Sequence, residues 1–217
     1  MNDTVVIDFG MGNLRSVAKA LEHVGARVQV SADPAVIRKA ARVVFPGQGA
    51  MGACVVRLAD SGLADAVREA ALTKPFLGIC LGLQALLEFS EEDGGVPGLG
   101  LVAGRVQRFA DGELLPGGER RKVPHMGWNQ VSFTKSHPVL AGIPDGAWFY
   151  FVHSYYVCPA DGALVLGRSQ HGSTAFTCAL ARGNLLATQF HPEKSHHAGL
   201  RLLANFVSWD GTTRGED

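Results

Sequence analysis

Short apolar runs without internal alternation constrain this chain most: TVVIDFG near the N-terminus, RVVFPG at residues 42–47 and PFLGI at residues 75–79. A strand that is apolar on both faces must be covered on both faces, which is the situation of a parallel sheet flanked by helices. The segments between them carry helical signals. Asn13 opens LRSVAKALEHV, which Gly25 closes, and a second strand, ARVQVS, follows. Asp33 and Pro34 then form an N-cap and first-turn pair for another helix. Helical patterning covers residues 50–72 and resumes from Leu81. Beyond Gly94 the pattern changes. LGLVAGRVQRF, KVPHMGWNQVSF, AWFYFVHSYYV, ALVLGRSQ, TAFTCALAR and NLLATQF follow at short spacing with glycine-rich turns, which predicts antiparallel strands. HAGLRLLANFVSW is a closing helix. The expectation is a single α/β domain over residues 1–210, its central sheet largely parallel, with antiparallel strands in the second half and a frayed tail at 211–217.

The chain of 217 residues is long enough for one generous core, and its apolar share of 47% is that of a globular protein. Lys+Arg and Asp+Glu both number 20, and no basic stripe or charged tail stands out, so neither nucleic acid nor an anionic membrane is expected as a partner. No apolar run reaches the length of a membrane span, and the N-terminus lacks the features of a signal peptide. Cys54, Cys80, Cys158 and Cys178 are scattered without a Cys-x-x-Cys, a usage that fits reduced thiols in a cytosol.

One of these cysteines sits where packing alone would not put it. Gly78-Ile79-Cys80-Leu81-Gly82 lies between a strand and a helical pattern, the layout of a nucleophile elbow. The two glycines make room for neighbouring backbone, the N-terminus of the helix from Leu81 favours a thiolate, and the Leu81 N–H would point at an oxyanion formed there. A nucleophile needs a base, and a base an orienting group. Of the eight histidines, His23 falls in a helix, His137 and His171 in turns, and His196-His197 at a helix start with no third metal ligand. His191 ends an apolar strand and is followed by Pro192-Glu193. Side chains at i and i+2 of extended backbone share a face, so Glu193 can reach the His191 ring, although a surface pair would show the same spacing. Gly10-Met11-Gly12 begins like a dinucleotide fingerprint, but Arg15 replaces the third glycine and the acidic residue of the next strand is missing. A tight strand-to-helix turn is the expectation there.

Taken together, PGQG at 46–49, GICLGLQ at 78–84 and QFHPEKS at 189–195 resemble the three signatures of class I, triad-type glutamine amidotransferases, in the family's order. DFGMGNLRS, VPHMGWN and YFVHSYY narrow the resemblance to the glutaminase subunits of imidazole glycerol phosphate synthases. The resemblance implies a flavodoxin-like fold and glutamine as substrate. It implies Cys80, His191 and Glu193 as the catalytic triad, and Gln48 and Leu81 as oxyanion donors. Gly47, Gly49, Gln84, Ser154 and Tyr155 would contact the substrate, although Gln84 would equally cap a loop and Ser154-Tyr155 would suit a plain core strand. It implies no cofactor and no metal. Because no phosphate-binding acceptor region is evident, it also implies that ammonia passes to a second chain, a (β/α)-barrel cyclase subunit, in a heterodimer. Asn13, Met126 and Trp128 are the expected contacts with that partner; Trp128 would serve equally as a core residue behind a glycine turn. Two other readings share the triad: the glutaminase of another synthase, and a stand-alone γ-glutamyl cysteine hydrolase.

Overall fold

A computed structural model of the chain describes residues 3–114 and 118–212. The first part winds as strand and helix in alternation: β1 (Asp3–Ile7), α1 (Leu14–His23), β2 (Arg27–Ser31), α2 (Pro34–Lys39), β3 (Arg42–Gly47), α3 (Met51–Asp60), α4 (Leu63–Thr73) and β4 (Phe76–Cys80). The helix starts lie where the caps predict them. Asn13 accepts from the Ser16 N–H, and Asp33 accepts from the Ala35 N–H with Pro34 in the first turn.

After β4 come α5 (Leu81–Gln84), β5 (Leu87–Ser90), β6 (Val96–Pro97), β7 (Val102–Arg108), β8 (His125–Phe133), β9 (Ala147–His153), β10 (Tyr155–Pro159), β11 (Val165–His171), β12 (Thr174–Arg182), β13 (Leu185–Thr188) and α6 (His196–Ser208). The last strand turns back into the first half. β13 pairs in parallel with β4, so the order β2-β1-β3-β4-β13 is parallel throughout, and β12, β10, β7, β5 and β6 extend it. β11 pairs with β12, β8 with β11, and β9 with β8, all antiparallel. In β1 and β3, Val5, Ile7, Val43 and Phe45 pack toward the layer that holds Ile37, Leu58 and Val67. Val6 and Val44 pack on the other face with Leu21 and the α6 residues Leu202 and Phe206. Two-sided burial is why these strands carry no polar alternation.

Three expectations change. The helical pattern from Leu81 stops after one turn, because the carbonyls of Ala85, Leu86 and Leu87 accept from the backbone N–H groups of Leu99, Leu101, Val102 and Gly100. Gly98 makes that approach feasible, since a side chain there would stand 2.1 Å from the Leu87 carbonyl oxygen. The run AWFYFVHSYYV is two strands, split at Ser154. The tail does not fray at once after Trp209: the Trp209 indole donates to the Thr212 carbonyl, and Asp210 accepts from the Thr212 N–H. Residues 213–217 lie outside the described residues.

Candidate active site

Cys80 ends β4 at φ 55° and ψ −107°, a backbone conformation that a non-glycine residue adopts only when its surroundings impose it. The imposition is visible in the clearances. A Cβ on Gly82 would stand 1.9 Å from the Phe45 carbonyl oxygen of β3, and one on Gly78 would stand 3.0 Å from the Gly82 carbonyl oxygen. The turn therefore lies flat against β3 and lifts Cys80 beyond the carboxyl end of the sheet. Gly47 is its register partner there. With α5 only one turn long, its dipole contributes less to a thiolate than a full helix would. The other cysteines are elsewhere: burial pushes Cys54 up to about 12 and raises Cys178 and Cys158 as well.

His191 follows β13, the strand paired beside β4. Its N–H donates to the Tyr150 carbonyl at 2.9 Å, and its carbonyl accepts from Ser195 Oγ, which itself accepts from the Tyr150 N–H. A 3-10 turn at Pro192–Lys194 then folds Glu193 back to the ring, where His191 Nδ1 donates to Glu193 Oε1 at 2.8 Å. A carboxylate can only accept, so Nδ1 carries a proton. Nε2 is buried without a hydrogen-bond partner, as is Glu193 Oε2. The two side chains are 2% and 1% exposed, so only mutual compensation keeps them charged. Burial opposes the imidazolium, but Cys80 and Glu193 outweigh it and raise His191 above its ordinary value.

In front of Cys80 opens a cavity of about 380 Å³. Gln48, Gly49, Leu81, Gln84, Ser154 and Tyr155 all line it, whereas Gly47 sits behind, in a crevice shared with Asn13, Gln48, His191 and Glu193. Gln84 is held by its own amide: Nε2 donates to the Tyr155 carbonyl at 3.0 Å and to Gln189 Oε1 at 3.1 Å. Glu92, which sequence reasoning passed over, also lines the cavity, and its carboxylate accepts from the Met51 N–H at 2.9 Å. Burial raises its pKa first of all. Only its position in an acidic run before Gly94 hinted at it. Lys194 also lines the cavity, with its Nζ over the Tyr150 ring.

The remaining sequence candidates are distributed as follows. Asn13 spends its side-chain oxygen capping α1. A Cβ on Gly12 would stand 3.4 Å from the Gly47 Cα, so the Gly10–Asn13 turn lies against the 47–49 turn. Trp128 is not in a polar turn but in the middle of β8, 42% exposed and stacked on His196 at 4.9 Å. Met126, on the same face, is 66% exposed. His171 is the last residue of β11 rather than a turn residue, and its ring stacks on His125 at 4.3 Å. His23 closes α1, and His137 packs against Trp209.

A cysteine in a strained elbow, beside a His–Glu pair at the carboxyl edge of a parallel sheet, defines an acyl-transfer enzyme with a thiol nucleophile. Comparison with known proteins makes the class specific. Residues 5–209 match the family model described as glutamine amidotransferase class-I. The chain is 60% identical over 212 residues to the imidazole glycerol phosphate synthase subunit HisH of Aromatoleum aromaticum, covering 96% of this chain and 99% of the relative. It is 61% identical over 207 residues to the HisH subunit of Dechloromonas aromatica, covering 94% and 95%. A solved structure of PurLQS from Thermotoga maritima shares the fold at 16% identity, with a TM-score of 0.71 over 95% of this chain and 97% of that one. The chain belongs to the class-I glutamine amidotransferase family, on the branch of the HisH subunits.

Proposed function

We propose that this chain is the glutaminase subunit of an imidazole glycerol phosphate synthase and hydrolyses glutamine through a Cys80 thioester. The observation that carries the reading is the His191 Nδ1–Glu193 Oε1 pair held in the dry, beside a cysteine at φ 55° on a cavity wall. Cys80 Sγ attacks the side-chain carboxamide carbon, and the oxygen that gains charge meets the backbone N–H groups of Leu81 and Gln48. Losing one such donor typically costs ~3 kcal/mol in the barrier. His191 Nε2 takes the Cys80 thiol proton as the sulfur attacks and gives it to the departing nitrogen, which leaves as ammonia. His191 Nε2 then takes a proton from water as that water attacks the thioester, and returns it to Cys80 Sγ as glutamate departs. Glu193 fixes the ring through Nδ1 and balances the imidazolium throughout.

The pocket suits a zwitterion. Glu92 and Lys194 are the charged side chains on its wall and carry opposite signs, as an α-ammonium and an α-carboxylate require. Gln84, Ser154 and Tyr155 supply the polar contacts between them, with the Gly47–Gly49 turn closing the end near Cys80.

Ammonia must reach a second active site unprotonated, and the (β/α)-barrel cyclase is the partner this reading assigns. Its support is the outward face of β8 and β9. Met126, Trp128 and Trp148 are exposed there, and Tyr150 and Val152 of the same face line the cavity. Asn13, the third expected contact, lines the crevice behind the cavity with Gly47 and His191 rather than this face. An apolar patch continuous with a pocket mouth fits a docking partner that seals it. The free cysteines accord with a cytosolic setting, and a single domain over residues 1–210 belongs to the same reading. The deciding experiment compares Cys80→Ala with the unaltered chain, both mixed with the cyclase. Synthesis from glutamine should vanish while synthesis from ammonium salts persists; glutamine use by the variant would refute the assignment.

A further inference from the structure

Gln189 joins β13 to the His191 segment and is fully buried. Its Nε2 lies 3.6 Å from Cys80 Sγ, and its Oε1 lies 3.1 Å from Gln84 Nε2. Amide nitrogen and oxygen are told apart by their partners, and here the partners leave one solution. The Tyr155 main-chain carbonyl can only accept, so the Gln84 group facing it at 3.0 Å is the NH2. The second hydrogen of that NH2 needs an acceptor, which must be Gln189 Oε1. What remains for the thiol is the Gln189 NH2.

The Tyr155 carbonyl is pinned from its other side by an equally directional series. His153 Nδ1 is 2.8 Å from the carbonyl oxygen and must donate, which leaves His153 Nε2 as an acceptor. His125 Nδ1, 3.0 Å away, therefore donates to it. His125 Nε2 accepts from Asn129 Nδ2 at 3.1 Å, and that amide also donates to the Gln170 carbonyl at 2.7 Å. Both rings are neutral in this scheme, in keeping with burial that lowers His125 to about 4 and His153 to about 3. Every polar proton of Gln84, His153, His125 and Asn129 thus has an assigned place, and Gln189 Nε2 has one directed at Cys80 Sγ.

We propose that Gln189 is a catalytic residue of this site, donating through Nε2 to Cys80 Sγ, with the His125–His153 series holding it in position through the Tyr155 carbonyl and Gln84. The proposal rests on the reading of Cys80 as the nucleophile. A sulfur that gains negative charge strengthens any hydrogen bond it accepts, so the donor acts most on the thiolate. It reaches the nucleophile from the same connection after β13 as the base, two residues earlier, and so fixes the direction of Sγ without occupying His191.

The test uses the full chain. Gln189→Met keeps the length and removes the donor. Alkylation of Cys80 by iodoacetamide, read on its own peptide by mass spectrometry, should slow about tenfold. With the cyclase present, glutaminase kcat should fall by a similar factor while KM stays within about twofold. An unaltered alkylation rate overturns the proposal. A second measurement needs no variant: nitrogen-15 spectra of the histidines should show His125 and His153 neutral with the proton on Nδ1, and a proton on Nε2 of either ring overturns the series. Failure here is separable from failure of the function. If Cys80→Ala still uses glutamine, the nucleophile is wrong; if Cys80→Ala is dead and Gln189→Met alkylates normally, only Gln189 is wrong.

Discussion

His191 and the buried pair His125–His153 are both tied into the surroundings of Cys80, and their proton affinities shift in opposite directions. His191 is 1% exposed and His153 6%, so burial does not separate them. Their partners do. His191 faces a carboxylate at 2.8 Å, and the pair raises its proton affinity. His125 and His153 face each other, a carbonyl and an amide, and burial lowers both. Desolvation disfavours a charged ring in both places; at His191 the hydrogen bonds and charges of Cys80 and Glu193 reverse the outcome. The difference teaches that burial alone does not set the charge of a histidine here, and that the thiol and the carboxylate beside His191 together decide which ring can move protons.

Removing that glutamate should produce the largest effect. Glu193→Gln leaves the ring its neighbour but withdraws the charge, and kcat for glutamine should drop about a thousandfold or more with KM little changed. Steady-state kinetics of the complex decides it, and an effect confined to KM would remove Glu193 from the triad and dissolve the comparison.

The neutral group makes a prediction about acid. Its folded pKa values lie below the unfolded value of about 6.5, so the unfolded chain binds more protons in that interval. Stability from these rings is therefore complete above about pH 6.5 and declines as pH falls toward about 4. His137, buried against Trp209 and lowered to about 4, adds a third proton to the two from His125 and His153. Each proton contributes a slope of about 1.4 kcal/mol per pH unit. His191 has the opposite sign: its share is whole below about 6.5 and is lost as pH rises through its raised value. Urea melts between pH 4 and 7 should show uptake of two to three protons, and His125→Gln should remove one. A flat acid flank would mean that the rings are charged in the folded chain.

The smallest effect sharpens the comparison on the charged side. Ser195 Oγ bridges the His191 carbonyl and the Tyr150 N–H, and Ser195→Ala leaves both without it. A loss of about 1–2 kcal/mol in stability is expected, with a drop in kcat well below that of Glu193→Gln. Equal kinetic losses would show that the pair is held by the backbone rather than by charge.

The charged pair was legible in the sequence and the neutral group was not, for a reason of distance along the chain. Gly78, Cys80 and Gly82, like His191 and Glu193, are neighbours in sequence, so spacing alone carries their geometry. His125, His153 and His171 come from three strands that only the order β9-β8-β11 brings together, and His171 read as a turn residue because its contacts lie 46 positions away. Gln189 stood inside a quoted motif without its role, which depends on Gln84 and Tyr155. Local propensity also overran at Leu81–Phe89, where an apolar run suited to a helix becomes one turn and a strand because the 98–102 backbone claims its carbonyls. β1, β3 and β4 were read correctly because two-sided burial marks each of them individually, whereas β2 is a largely exposed edge strand and β13, expected among the antiparallel strands, pairs in parallel with β4.

Gly82 bears on anyone who wishes to redesign this chain. A methyl group at that position would lie 1.9 Å from the Phe45 oxygen, so the junction between strand and turn works as a mechanical stop with no slack. The stop sets how far Leu81 and the 47–49 turn can separate, yet neither of its two surfaces is a side chain that selection or a library could resize. Randomising the cavity wall at Ser154, Tyr155 or Glu92 would alter which amide is admitted while the gauge that positions it stays fixed. Altering Gly82 would discard the gauge itself, and no second-site change of side chain elsewhere could restore it.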